Sequence, residues 1–144
     1  MLYRLLRPDE NWQLGLWAKD PNSDVSVFNH VINGSSRAFD SIYISTFGSL
    51  SAMLKFRSKS STPGAQIVRI VEDNLPVFDK IDLRTSGIRS GQYILGHPQY
   101  PNALINKFNN YAKKLEEVLL VGHVPPSHIQ PVDVDSFVPV RLPT

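Results

Sequence analysis

The chain contains no cysteine. That absence excludes a disulfide scaffold, a thiol nucleophile and a thiolate metal site, and it leaves the compartment open. No apolar run approaches the length of a membrane span, so no membrane partner is expected. Met1-Leu2-Tyr3-Arg4-Leu5-Leu6-Arg7 lacks the long apolar region and small-residue cleavage site of a signal peptide. Neither sign of charge is in excess. Fifteen Lys and Arg against 13 Asp and Glu leave a formal +2, which demands no nucleic-acid or membrane partner but admits an anionic ligand. Internal repeats and low-complexity tracts are also missing. What is present, 42% hydrophobic and 19% charged residues over 144 positions, suits one soluble globular domain spanning 1–144.

Taken in order, Leu2-Tyr3-Arg4-Leu5-Leu6 reads as a strand with Arg4 inside it. Its head either snorkels to solvent or waits for an oxyanion, since the planar fork binds phosphates bidentately. Pro8-Asp9-Glu10-Asn11-Trp12 suits a helix start and Gly15 its end, with Leu14, Leu16 and Trp17 expected in the core. Val25, Phe28, Val31 and Ile32 recur at helical spacing, and Asn33-Gly34-Ser35-Ser36 is the stop. His30 falls in that helix without a second ligand at metal spacing and is expected to be structural or exposed. Ser41 to Phe47 alternates as a second strand that ends in hydroxyls. A helix then begins at Ser49 as N-cap, burying Leu50, Met53, Leu54 and Phe56, and Arg57 to Gly64 reads as a loop. Gln66 to Glu72 is a third strand. Pro76 to Gln92 carries no clear pattern, and Asp82 to Gly87 looks loop-like. A turn at His97 to Pro101 precedes a helix capped by Asn102, with Leu104, Ile105, Phe108 and Tyr111 on one face. Ile129, Val132 and Val134 suggest a final strand. Without regular βαβ alternation, the pattern predicts an α+β fold with a mixed or mostly antiparallel sheet.

The stretch Leu115-Glu116-Glu117-Val118-Leu119-Leu120-Val121-Gly122 reads as one strand, closed by Val124-Pro125-Pro126. Side chains alternate along a strand, so Glu116 and Glu117 are expected on opposite faces, and a buried one needs water or a cation.

Three strands thus carry Arg4, then Ser45-Thr46, then Glu117, and that order resembles the R-S-E group of mono-ADP-ribosyltransferases, the cholera-toxin-like enzymes. Tyr3-Arg4 with Arg7-Pro8-Asp9-Glu10 and Gly15-Leu16 is similar to the family's opening strand and short helix. His30-Val31 with Gly34-Ser35 is similar to its next helix. Tyr43-Ile44-Ser45-Thr46 with Ser51-Ala52 and Phe56 is similar to its second motif, and Glu117-Val118 to Gly122, Pro125-Pro126 and Ile129 to its catalytic strand and exit. The likeness covers roughly residues 2–57 and 112–135, and its flavour is closest to the pierisin and scabin branch.

The resemblance implies a split β-sandwich of two small mixed or antiparallel sheets with flanking helices. It implies a toxin or effector enzyme that transfers ADP-ribose from NAD to a guanine base of nucleic acid or to a protein side chain, as a monomer, without a metal. As a soluble protein it would be secreted or delivered, acting in a target-cell cytoplasm. Glu117, Ser45 and Arg4 would be the catalytic set: Glu117 on the ribose hydroxyls and near the developing oxocarbenium charge, Ser45 holding Glu117, Arg4 on the diphosphate. Arg4, Leu5, Ser45, Thr46, Phe56 and Glu117 would contact NAD, and Leu115 and Lys114 would face the acceptor, with Lys107 and Lys113 nearby. Two positions depart from the family. Phe47 stands where a third small polar residue is usual, and Leu115 stands where a Glu or Gln engages the acceptor. Leu115 admits an NAD glycohydrolase on the same fold, and Phe47 admits a binding module that has lost the activity. The opening strand at residue 2 admits either an excised domain or a very short enzyme.

Overall fold

A computed structural model of the protein describes residues 1–20, 22–23, 25–33, 41–59, 64–89 and 100–133. The described strands are β1 (Leu2–Leu5), β2 (Tyr43–Phe47), β3 (Ile67–Ile70), β4 (Asp79–Asp82), β5 (Glu117–Val121) and β6 (Ile129–Val132). The described helices are α1 (Val27–Asn33), α2 (Leu50–Lys59), the single turn α3 (Ser86–Ile88) and α4 (Asn102–Leu115). The α+β class therefore stands. The strands form one sheet in the order β4-β5-β2-β1-β3-β6, and each neighbouring pair is antiparallel. The expected two small sheets meet a single ladder here, but it narrows in the middle. β2 and β1 register only one pair, Tyr3 with Phe47, whereas β2 and β5 register five. Two three-stranded halves thus join at a pinch, and that pinch holds the site.

The sheet is covered on both faces. Leu2, Leu6, Leu16, Ile44, Val68, Ile70, Val118 and Leu120 build one core. On the opposite face α1 and α4 lay Phe28, Phe108 and Ala112 over Leu119. Beside them α2 lays Met53 and Ala52 over Phe47, Ile67 and Val132. Burial on both faces is why β5 reads as a continuous apolar run rather than an alternation.

Several local expectations need correction. The turn before Gly15 is a 3-10 turn, Trp12–Leu14, capped by Asn11, so Asp9 and Glu10 precede it rather than start a helix. Leu14 and Trp17 are exposed while Leu16 alone is core, because Leu16 bridges to Val124 and its chain neighbours point outward. Gly15 has φ +94, and a Cβ there would collide with the His123 ring and the Val124 carbonyl, so only glycine lets the two segments bridge. The segment read as patternless contains β4, whose Asp79-Lys80-Ile81-Asp82 hides a strand behind the charges of a solvated edge. Pro101 rather than Asn102 is the cap of α4, and Tyr111 is exposed where Ala112 is buried. α2 extends through Lys59, three residues into the expected loop. The helix stop at 34–36, the loop at 60–63, the turn at 97–99 and Val134 lie outside the described residues.

The largest correction concerns the stretch around Glu117. α4 runs on through Leu115, and Glu116 closes it in the left-handed conformation at φ 48, ψ 54, so β5 starts at Glu117. Strand alternation consequently does not govern Glu116 or Leu115. Leu115 packs beside the α2 core and does not share a strand face with Glu117. Among the described residues no helix is long and apolar enough to cross a membrane.

Candidate active site

The pairing of Phe47 with Glu117 and of Ser45 with Leu119 places Glu117, Ser45 and Tyr43 on one face of the sheet. Ser45 there stands between Tyr43, which packs toward α1 and α4, and Phe47, which packs toward α2. A small polar residue at that point leaves room in an otherwise apolar face. Glu117 fills it from the neighbouring strand, and its side chain is buried at 5% exposure. Burial pushes its pKa up to about 8. The Ser45 hydroxyl and the Arg4 charge act the other way and do not overcome it.

His30 comes to the same place from α1. The helix starts at a serine cap, with the Ser26 hydroxyl accepting from Asn29 N–H at 3.1 Å. The turn that follows puts His30 on the buried side with Val27, Phe28 and Val31. Its Nδ1 shares a hydrogen with Ser41 Oγ at 2.5 Å and its Nε2 shares one with Ser45 Oγ at 2.6 Å. Burial, reinforced by the Arg4 charge, lowers its pKa to about 4. A row therefore runs Ser41–His30–Ser45–Glu117. At neutral pH the imidazole is uncharged, so one ring nitrogen donates and the other accepts. If Ser45 donates to an ionised Glu117, it must take its own hydrogen bond from His30 Nε2–H, and Ser41 then donates to Nδ1. The tautomer of His30 is thus tied to the ionisation of Glu117.

Arg4 completes the site from β1, and its position settles the two readings of its head. It is 7% exposed and lies on the same strand face as Leu2. Its Nη1 donates to the Ser45 carbonyl at 2.7 Å. At the pinch, where β1 and β2 register one pair, the guanidinium supplies a donor to a carbonyl of the neighbouring strand. The rest of the fork meets Glu10: Nη2 lies 3.0 and 3.1 Å from the two carboxylate oxygens and Nε 3.2 Å from one. The turn after β1 aims Glu10 back at Arg4, since Arg7 N–H donates to its Oε1 at 2.8 Å. Both side chains are under a tenth exposed, and a buried ion pair with additional hydrogen bonds on each partner is the form that compensates its desolvation. Arg4 is therefore a paired cation at the centre of the fold, neither a snorkelling surface residue nor an open phosphate fork.

Of the residues named from sequence, Ser45 and Glu117 meet on one face, and Arg4 reaches them from the other face of the sheet through the Ser45 carbonyl and by its charge. Thr46 does not join them. It points to the opposite face, fully buried, and donates to the Val118 carbonyl at 2.6 Å. Leu5 and Phe56 pack into the α2 core, Phe56 with its ring 5.4 Å from that of Phe47. Leu115 is packed in that same core and Lys114 is exposed on α4. Sequence reading missed Glu10 and underrated His30. For His30 a signal existed, because it stands three residues after Val27 on the apolar stripe of α1. For Glu10 there was none, since its partner is fixed by the turn geometry. Two surface hollows of about 510 and 440 Å³ flank Arg7 and Glu10, and neither is lined by Ser45 or Glu117. Among the described residues no cluster of His, Asp and Glu is arranged to hold a metal. No family model, no curated protein and no solved structure matches the chain.

Proposed function

We infer that the chain is an NAD-dependent mono-ADP-ribosyltransferase of the R-S-E kind, acting on a nucleic-acid base or a protein side chain. The observation that carries the reading is the buried Glu117 carboxyl held against Ser45, with the Arg4 charge close enough to act on it. Three residues far apart in the chain converge there, on β1, β2 and β5, and the sheet narrows between β1 and β2 as a split sandwich requires. In the reaction the C1′–N bond to nicotinamide breaks, its electron pair leaves on neutral nicotinamide, and C1′ gains the bond to the acceptor as the acceptor loses a proton. The ribose passes through oxocarbenium character. An ionised Glu117 on the ribose hydroxyls would stabilise that charge in a site already dry. The raised pKa keeps Glu117 neutral at pH 7, and a cationic nicotinamide ribose beside it would favour ionisation. Arg4 in this reading organises the corner, and a diphosphate would compete with Glu10 for its fork.

Hydrolysis of NAD on the same site is the second reading, favoured by Leu115, whose side chain is packed in the α2 core and offers an acceptor no polar group. One experiment separates the two. Labelled NAD is incubated with separate DNA, RNA, nucleotide and protein pools, with Glu117→Gln as control. Label on an acceptor identifies transfer, and free ADP-ribose alone identifies hydrolysis. Equal NAD turnover by the parent and Glu117→Gln, or none by the parent, sinks the assignment.

A further inference from the structure

We propose that Gly48, Ser49 and Glu116 form a clamp that positions Glu117, locking the first residue of β5 against the β2–α2 turn. The functional weight of the clamp rests on the reading of Glu117 given above, but its geometry does not. A carboxyl on the first residue of a strand is poorly placed to stay dry, because strand and helix ends fray. Here the junction is held from both sides. Gly48 N–H donates to the Glu116 carbonyl at 2.8 Å, and the Ser49 hydroxyl donates to the Glu116 carboxylate at 2.5 Å. Ser49 also accepts from Ala52 N–H at 3.1 Å, so the same oxygen caps α2 and grips Glu116. On the far side Leu83 N–H donates to the Glu117 carbonyl at 2.9 Å.

Two features mark the junction as more than a chance contact. Glu116 adopts the left-handed conformation at φ 48, one of two described residues other than glycine with positive φ. Such a conformation in a residue with a long side chain persists where the surroundings over-determine it. Gly48 lets the two segments touch: a Cβ there would stand 2.8 Å from Arg84 Cδ and 2.9 Å from the Glu116 carbonyl oxygen. A methyl group at residue 48 would therefore press on the peptide that carries Glu117. The turn and the left-handed residue together fix where β5 begins, and the ladder with β2 then carries the Glu117 side chain to the face that holds Ser45.

The test reads Glu117 itself. Its carboxyl carbon is followed by NMR against pH in the parent, Ser49→Ala, Ser49→Thr and Glu116→Asn, with thermal unfolding alongside. Asn tolerates the left-handed conformation but is one methylene too short to meet Ser49. The parent midpoint is expected near 8. In Ser49→Ala and Glu116→Asn it is expected to drop by about one pH unit or more as water reaches the loosened carboxyl, and Ser49→Thr is expected to restore it. An unchanged midpoint in either folded variant overturns the clamp, and so does loss of the fold in both, which would show a role in stability alone. The titration needs no NAD, so it separates failure of the clamp from failure of the enzymatic reading. If the parent cleaves NAD, kcat should fall about tenfold in Ser49→Ala with KM little changed, as for a positioning residue.

Discussion

Glu117→Gln should flatten the dependence of folding stability on pH above neutrality. In the folded chain Glu117 titrates at about 8, against an ordinary value of 4.5. Between those two pH values the folded state holds a proton that the unfolded state has lost, so stability falls as pH rises through the window. His30 works in the opposite sense. It titrates at about 4 when folded, against 6.5 ordinarily. The unfolded state therefore binds the extra proton below 6.5, and stability is lost as pH falls toward 4. The two slopes offset from about 4.5 to 6.5, and above 6.5 Glu117 acts alone. From there to about pH 8 the parent should lose about 2 kcal/mol. Gln has nearly the size of a neutral carboxylic acid and cannot ionise, so the substituted chain should hold its stability across the same interval. Urea unfolding followed by tryptophan fluorescence between about pH 5.5 and 8.5, at constant ionic strength, measures the difference directly. A decline as steep in Glu117→Gln as in the parent would refute the placement of a protonated carboxyl beside Ser45.

Two further substitutions probe the partners. His30→Ala should cost about 3 kcal/mol in the same urea assay, because it opens a cavity and leaves the Ser41 and Ser45 hydroxyls without a shared ring; a loss under about 1 kcal/mol would mean that the hydroxyls find other partners. Glu10→Ala should cost at least about 3 kcal/mol by stranding the buried Arg4 cation, while the double substitution Arg4→Met with Glu10→Leu should recover most of that. If thermal melts show the double variant as unstable as Glu10→Ala, the pair is not the source of the loss.

Much of the backbone plan was legible in the residues. Alternation and β-branching marked β1, β2 and β3. Helical spacing marked α1 and α4, and Ser49 marked the start of α2. These signals are local, and each element expresses its own period of burial. Edge strand β4 was not legible. An edge needs charges to discourage pairing with other chains, and charges erase the apolar period by which a strand is recognised. Trp17 and Leu14 misled for a related reason, because hydrophobicity does not say which residues beside a bridge face outward.

By itself the sequence determined an α+β chain without thiol chemistry and the order in which Arg4, Ser45 and Glu117 would be presented. Only the tertiary structure decided where each of them sits and what it touches. Arg4 is closed off by Glu10 because the turn after β1 returns that carboxylate across a short distance in space that no spacing rule encodes. Thr46 falls on the far face from Ser45 by the pleat of β2, and the ladder with β5 decides which face holds the site. Glu117, Glu116 and Leu115 part company because α4 runs through Leu115 and Glu116 closes it, where the strand pattern had placed both in the strand. A single left-handed residue then resets the direction of the chain. Conformations of that kind arise from packing and hydrogen bonding between distant segments, so they become visible only when the segments are brought together.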